Sequence, residues 1–111
     1  MPNFTSPFES VVPRKLSHEE LVRAIRLDLA AEEEAVYLYT AHAEAIDDPQ
    51  VKKVLLDIAD EERVHVGEFT RVLEILTGDE DQFIQQGIDE VNRSLGMGPA
   101  KEEPTVGSLT S

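Results

Sequence analysis

The sequence contains no cysteine and no tryptophan. Without cysteine there can be no disulfide framework, no thiolate metal site such as a zinc ribbon, and no thiol nucleophile. The same absence is consistent with a reducing compartment, and a cytoplasmic location is expected. Aromatic residues make up only 5% of the chain, so any core must be mainly aliphatic. Basic residues are also few: 10 Lys and Arg stand against 23 Asp and Glu, a formal charge of −13. Binding to nucleic acid needs a basic face, which this composition does not supply. Long apolar runs are missing too. No stretch approaches the ~20 residues of a membrane-spanning helix. Residues 1–15, with Pro2, Pro7 and Pro13, lack the apolar run of a signal peptide. A soluble protein is expected.

What remains is a chain of 111 residues, 41% of them apolar. That length suits one domain, and a domain so short buries only a modest share of its surface by itself. Self-association is therefore the expected default.

Helix signals begin at Ser17. Ser17-His18-Glu19-Glu20 has the form of a capping box, preceded by Leu16 as a possible hydrophobic staple. From there to about Ile46 there is no Pro or Gly, and Ala, Leu and Glu dominate. Asp47-Asp48-Pro49 follows, with Asp48 suited to the N-cap and Pro49 to the first helical position. A second uninterrupted stretch runs to about Thr77, and Gly78 is a natural stop. A third, shorter helix is predicted over 81–95, where Ile84, Ile88, Val91 and Leu95 recur at four-three-four spacing. Gly87 weakens that helix and Gly96 ends it. The expected organisation is an N-terminal arm over 1–16, a helical domain over 17–95 and a flexible tail over 96–111.

The linker between the long helices is too short for anything but an antiparallel hairpin. On each helix an inward stripe can be traced. The first runs through Leu21, Ile25, Asp28, Glu32, Val36, Tyr39, Ala43 and Ile46. The second runs through Val51, Leu55, Ile58, Glu62, His65, Phe69, Val72 and Leu76. Both keep the three- and four-residue steps of a buried face, and both carry charged groups near the middle. A carboxylate facing an apolar interior costs several kcal/mol unless it is paired, protonated or bound to a metal. Glu32 lies about sixteen residues before the turn, and Glu62 and His65 about fifteen and eighteen after it. Equal rise per residue then brings all three to one level. The Glu-x-x-His spacing puts both side chains on one face, where Glu can bridge two metals and His can ligate one. Asp28, a turn away, is expected at the rim, Tyr39 in the core, His18 near the cap and His42 in solvent.

Counting ligands fixes a stoichiometry. A carboxylate-bridged two-metal centre in a four-helix bundle takes a Glu from each of two helices and a Glu-x-x-His from each of the other two. This chain supplies half of that set, so two hairpins related by a two-fold axis would complete one site. Oxygen and imidazole donors suit iron or manganese better than copper.

With these residues in view, the sequence resembles the encapsulated ferritins, the ferritin-like cargo of encapsulin nanocompartments. The resemblance covers roughly residues 17–76 and includes Glu-Ala-Val-Tyr-Leu-Tyr at 34–39, Asp-Asp-Pro at 47–49 and Asp-Glu-Glu-Arg-Val-His at 60–65. Separately, Thr105-Val106-Gly107-Ser108-Leu109 is similar to the short peptide by which encapsulin cargo docks inside its shell. Val106 and Leu109 there could enter an apolar groove, with many tails adding avidity. The resemblance implies an all-α fold: a ferritin-like four-helix bundle completed by dimerisation, in a larger ring of dimers. It also implies a di-iron ferroxidase centre at the dimer interface, carried by Glu32, Glu62 and His65, with mineral stored in the encapsulin lumen. Glu34 matches an acidic position linked to metal access. The sequence departs from the pattern at Ala31, where another acid is expected, and at Leu38, where Trp is common. The docking peptide departs as well, with Pro104 before it and Thr110-Ser111 after it. Two other readings share the helices: a peroxide-reducing di-iron or di-manganese protein of the rubrerythrin or catalase type, and a structural hairpin whose polar cluster binds nothing. The lack of cysteine for a rubredoxin-like electron donor weakens the rubrerythrin version.

Overall fold

The computed structural model describes residues 14–98. The first thirteen residues, most of the expected arm, and the tail from 99 onward, including 105–109, lie outside the described residues. Three helices follow in order: α1 (His18–Glu44), α2 (Pro49–Thr77) and α3 (Glu80–Ser94). The described residues contain no strand, so the fold is all-α as expected. No helix among them is long and apolar enough to cross a membrane.

Each boundary has a local cause. At the start of α1, Ser17 Oγ accepts a hydrogen bond from the Glu20 N–H at 3.2 Å, and Glu20 Oε1 accepts one from the Ser17 N–H at 3.0 Å. Both halves of the capping box are made. A further clasp has no sequence signature: Arg14 donates from both terminal nitrogens to the two Glu20 oxygens, each at 2.7 Å. This fork-to-fork pair holds the Glu20 carboxyl far below its usual range, at about 2. α1 stops slightly short of the expected Ile46, because Ala45 leaves helical geometry and its N–H turns back to the His42 carbonyl at 3.1 Å. Asp48 caps α2, its Oδ1 accepting from the N–H groups of Gln50 and Val51 at 2.9 and 3.2 Å.

Gly78 follows α2 at a φ of 78°, a left-handed conformation that costs any residue with a Cβ about 1–2 kcal/mol. The chain divides there into two compact units, one ending at Thr77 and one starting at Gly78. Among the described residues the second unit holds α3 and its C-terminal turn. In that turn Gly96, at φ 74°, donates to Arg93, and Met97 donates to Asn92 at 2.7 Å, the paired bonds of a Schellman stop. The expected stripe of Ile84, Ile88, Val91 and Leu95 is present on α3, and all four side chains are exposed.

In the first unit, α1 and α2 pack against each other as the expected antiparallel hairpin. Its core is very small: Ala43 on α1 and Ala59 and Leu73 on α2 are the buried apolar residues. Ala59 and Leu73 are separated by about four helical turns, so they lie on one side of α2. Of these three, only Ala43 belonged to the stripes read from the sequence. Several stripe members instead remain exposed, among them Leu21, Val51 and Val72. Leu27 and Leu38 on α1 and Val54 on α2 are exposed as well. Two helices can bury only the line along which they touch, which leaves apolar side chains beside that line exposed.

Candidate metal centre

Midway along the hairpin, the facing surfaces bring together Glu32 from α1 and Glu62 and His65 from α2. Each of the three offers one ligand atom within 4.8 Å of the others. His65 Nδ1 stands 3.0 Å from Glu62 Oε1 and 3.5 Å from Glu32 Oε1. The one-turn spacing of Glu62 and His65 accounts for the first contact, and the antiparallel register for the second. Side-chain exposure is 21% for Glu32, 17% for Glu62 and 46% for His65. The carboxylates are therefore drawn into the seam while the imidazole stands at its edge.

The electrostatics follow from this crowding. Glu32 is raised above the ordinary carboxyl range, chiefly by its hydrogen bond with Glu62 and then by loss of water. Glu62 is lowered, first by that same bond with Glu32 and then by His65. Opposite shifts on two touching carboxyls mark a coupled pair, in which Glu32 holds its proton to higher pH than Glu62. His65 is raised, first by its hydrogen bond with Glu62.

The donor set fits a divalent ion of the iron or manganese kind, since it combines carboxylate oxygen with imidazole and has no thiolate. Ligands around one such ion, each about 2.1 Å from it, stand roughly 3–4 Å apart, so closure of these side chains onto an ion needs only small movements. Three ligands leave much of a six-coordinate shell unfilled.

A hollow of about 340 Å³ opens onto this cluster, lined by Glu32, His65, Glu68, Phe69 and Val72. Glu68 was missed in the sequence, although it continues the three-residue spacing Glu62-x-x-His65-x-x-Glu68. The other candidates stay apart from the cluster. Asp28, His18, His42 and Glu34 are exposed, and Tyr39 is half-buried.

Comparison with known proteins agrees with this architecture. The rubrerythrin family profile matches residues 19–97. The chain is 37% identical over 86 residues to the encapsulin nanocompartment cargo protein EncC of Myxococcus xanthus (strain DK1622), a match covering 78% of this chain and 66% of that protein. It is 39% identical over 79 residues to a ferritin-like-encapsulin shell fusion protein of Pyrococcus furiosus (strain ATCC 43587 / DSM 3638 / JCM 8422 / Vc1), covering 71% of this chain but only 23% of the relative. The chain thus spans about two thirds of one relative and under a quarter of the other. Among solved structures, the encapsulated ferritin domain from Pyrococcus furiosus superposes with a TM-score of 0.73 at 35% identity, covering 80% of this chain and 97% of that domain. A hairpin with one Glu helix and one Glu-x-x-His helix, together with these similarities, shows that the chain belongs to the rubrerythrin family and, within it, to the encapsulated ferritins.

Proposed function

We propose that the chain is a ferroxidase subunit that oxidises Fe(II) to Fe(III) with dioxygen at a di-iron centre shared between two copies. The observation that carries this reading is the convergence of Glu32, Glu62 and His65, which amounts to half of a carboxylate-bridged ligand set. Exposed apolar side chains on the hairpin, among them Leu38, Val54 and Val72, support pairing with a second copy, because their burial favours association. Two-fold pairing would give four Glu and two His around two ions.

In this reading ferrous iron is the substrate, and the chain's residues bind it and manage protons. Glu62 would bridge two ions, His65 would ligate one through Nδ1, and Glu32 would complete each half. Bound iron supplies the electrons that reduce dioxygen. Binding requires ionised Glu32 and Glu62 and neutral His65, so uptake of the cation and loss of protons are coupled. The acidic chain, at −13, would raise the local concentration of cations.

The relatives named as encapsulin cargo and as a shell fusion support a location inside an encapsulin shell within the cytoplasm, where the oxidised iron would be stored as mineral. In the fusion relative the ferritin-like part and the shell are one chain. Here residues 96–111 would serve as a tail to the helical domain over 17–95, with Thr105 to Leu109 docking in the shell. A larger ring of dimers is part of the same reading.

Glu62→Ala and His65→Ala should each abolish iron oxidation while preserving helical content by circular dichroism. Oxidation at the wild-type rate in both variants would overturn the assignment. Removal of residues 104–111 should abolish loading into the shell yet spare ferroxidase activity; unchanged loading would refute the docking role. The rubrerythrin family match favours one competitor, a peroxide-reducing di-metal protein. Consumption of peroxide faster than oxidation of iron by dioxygen would select it.

A further inference from the structure

We propose that α3 pairs antiparallel with α3 of a second copy, forming a two-fold contact separate from the one that completes the metal cluster. The inference names a surface that joins hairpin pairs into the larger assembly of the proposed reading. It rests on hairpin pairing and not on the metal.

The need for a partner comes from the helix itself. α3 has 15 residues and is the one helix of its unit among the described residues. A helix of that length is marginal alone and depends on packing its apolar face. Ile84, Ile88, Val91 and Leu95 form that face, and all four are exposed. Ile84 and Val91 are seven residues apart, and so are Ile88 and Leu95. These are the d and a positions of a heptad, the pattern that seats one helix against another with the same spacing.

Charge selects the partner. On a chain at −13, two copies repel one another unless the surfaces that meet are uncharged. The e positions beside this stripe are Gln85 and Asn92, and the g positions are Gly87 and Ser94. None is charged, although e and g are where coiled coils carry the charges that choose their partners. The stripe can thus approach its own copy without repulsion. An anionic membrane is a poor occupant, because an interfacial helix carries Lys and Arg on its polar face. α3 carries Glu80, Asp81, Asp89 and Glu90 against Arg93 alone.

Charge also selects the direction. Parallel pairing would set Glu80 and Asp81 of the two copies side by side, whereas antiparallel pairing separates them by the length of α3. A two-fold axis between residues 89 and 90 then sets Ile84 against Leu95 and Ile88 against Val91 of the second copy. One pair of helices ~22 Å long falls short of the ~1,200 Å² of a stable standard interface. The contact therefore holds between hairpin pairs, each of which brings two α3 helices that act together.

The test is native mass measurement on the full-length protein. Wild type should form species of more than two chains. Ile88→Asp and Val91→Lys should each stop at two chains, because self-pairing would bury an unpaired charge twice. An equimolar mixture of the two should regain the wild-type mass, since antiparallel pairing sets position 88 of one against position 91 of the other. Gln86→Asp, which adds the same charge on the far face of α3, should assemble as wild type. Wild type that stops at two chains, undiminished mass in both single variants, or a mixture that stays at two chains would each overturn the α3 contact. A stripe covered by its own hairpin or by another protein would give that last result. Iron uptake is read on the same samples: one iron per chain should persist in the two-chain variants, and failure of every sample to bind iron would overturn the metal reading while leaving the α3 contact standing.

Discussion

Leu73 is the largest fully buried side chain in the hairpin, 1% exposed, and the other two buried apolar residues are alanines. Leu73→Ala removes the largest side chain that the seam buries completely. Large-to-small changes of this kind cost about 2–5 kcal/mol, and the thin two-helix seam can partly collapse, so the loss should be near 3 kcal/mol. That is a factor of roughly 150 in the folded-to-unfolded ratio, and a drop of roughly 2–3 M in urea midpoint for an m value of about 1–1.5 kcal/mol/M. The cluster at Glu32, Glu62 and His65 allows a second, independent step. A ligand that binds only the folded chain adds about 2.7 kcal/mol when present at 100 times its dissociation constant. Co(II) at that concentration should therefore nearly restore Leu73→Ala, and should do nothing for Leu73→Ala combined with Glu62→Ala. The assay is urea denaturation followed by circular dichroism at fixed protein concentration, with and without the ion. A loss below about 1 kcal/mol in the single variant would contradict the burial of Leu73 in the seam, and equal rescue in the double variant would contradict metal binding at the cluster.

The raised His65 stabilises the metal-free protein when its imidazolium is charged. That contribution is full below the ordinary imidazole value of about 6.5 and fades as pH climbs through the higher folded value. Metal-free wild type should thus lose urea stability as pH rises above that point and His65→Gln should not; parallel pH profiles would contradict this. Glu20 works in the opposite direction, since its depressed pKa of about 2 gives stability that is present above the ordinary range and lost as pH falls toward that value. Arg14→Ala should move the Glu20 carboxyl titration, read by NMR, upward toward the ordinary range, and no movement would deny the clasp. Gly78→Ala should destabilise by about 1–2 kcal/mol because its φ is 78°. Gly87→Ala should stabilise by up to about 1 kcal/mol, because a Cβ there meets nothing within 4 Å in a helix interior; calorimetric melting separates the two signs.

The helices were legible because their signals are local. Ser17 with Glu20, Asp48 with Pro49, and Gly78 and Gly96 act within a few residues, and each occupies its expected position. The convergence of Glu32 with Glu62 and His65 was legible for a different reason, since a short turn leaves an antiparallel hairpin only one register. The contact line itself was less so. A reading by periodicity weights large side chains, so Ala59 was passed over for Ile58, and a one-residue offset of the stripe, about 100° around the helix, took Val72 in place of Leu73. Ile58 is half-buried and Val72 exposed, so that stripe lies to one side of the contact line. Arg14 and Glu68 were invisible for a simpler reason: a charged residue on a charged chain has no sequence pattern to mark it, and only the fold brings one to Glu20 and the other to the hollow.

If this chain carries half of a two-metal site, anaerobic titration with Fe(II) followed by native mass measurement should show one iron per chain at saturation, taken up only by species with an even number of chains, and none bound by Glu62→Ala. Iron held by a monomer, or the same count in the Glu62→Ala protein, would contradict it.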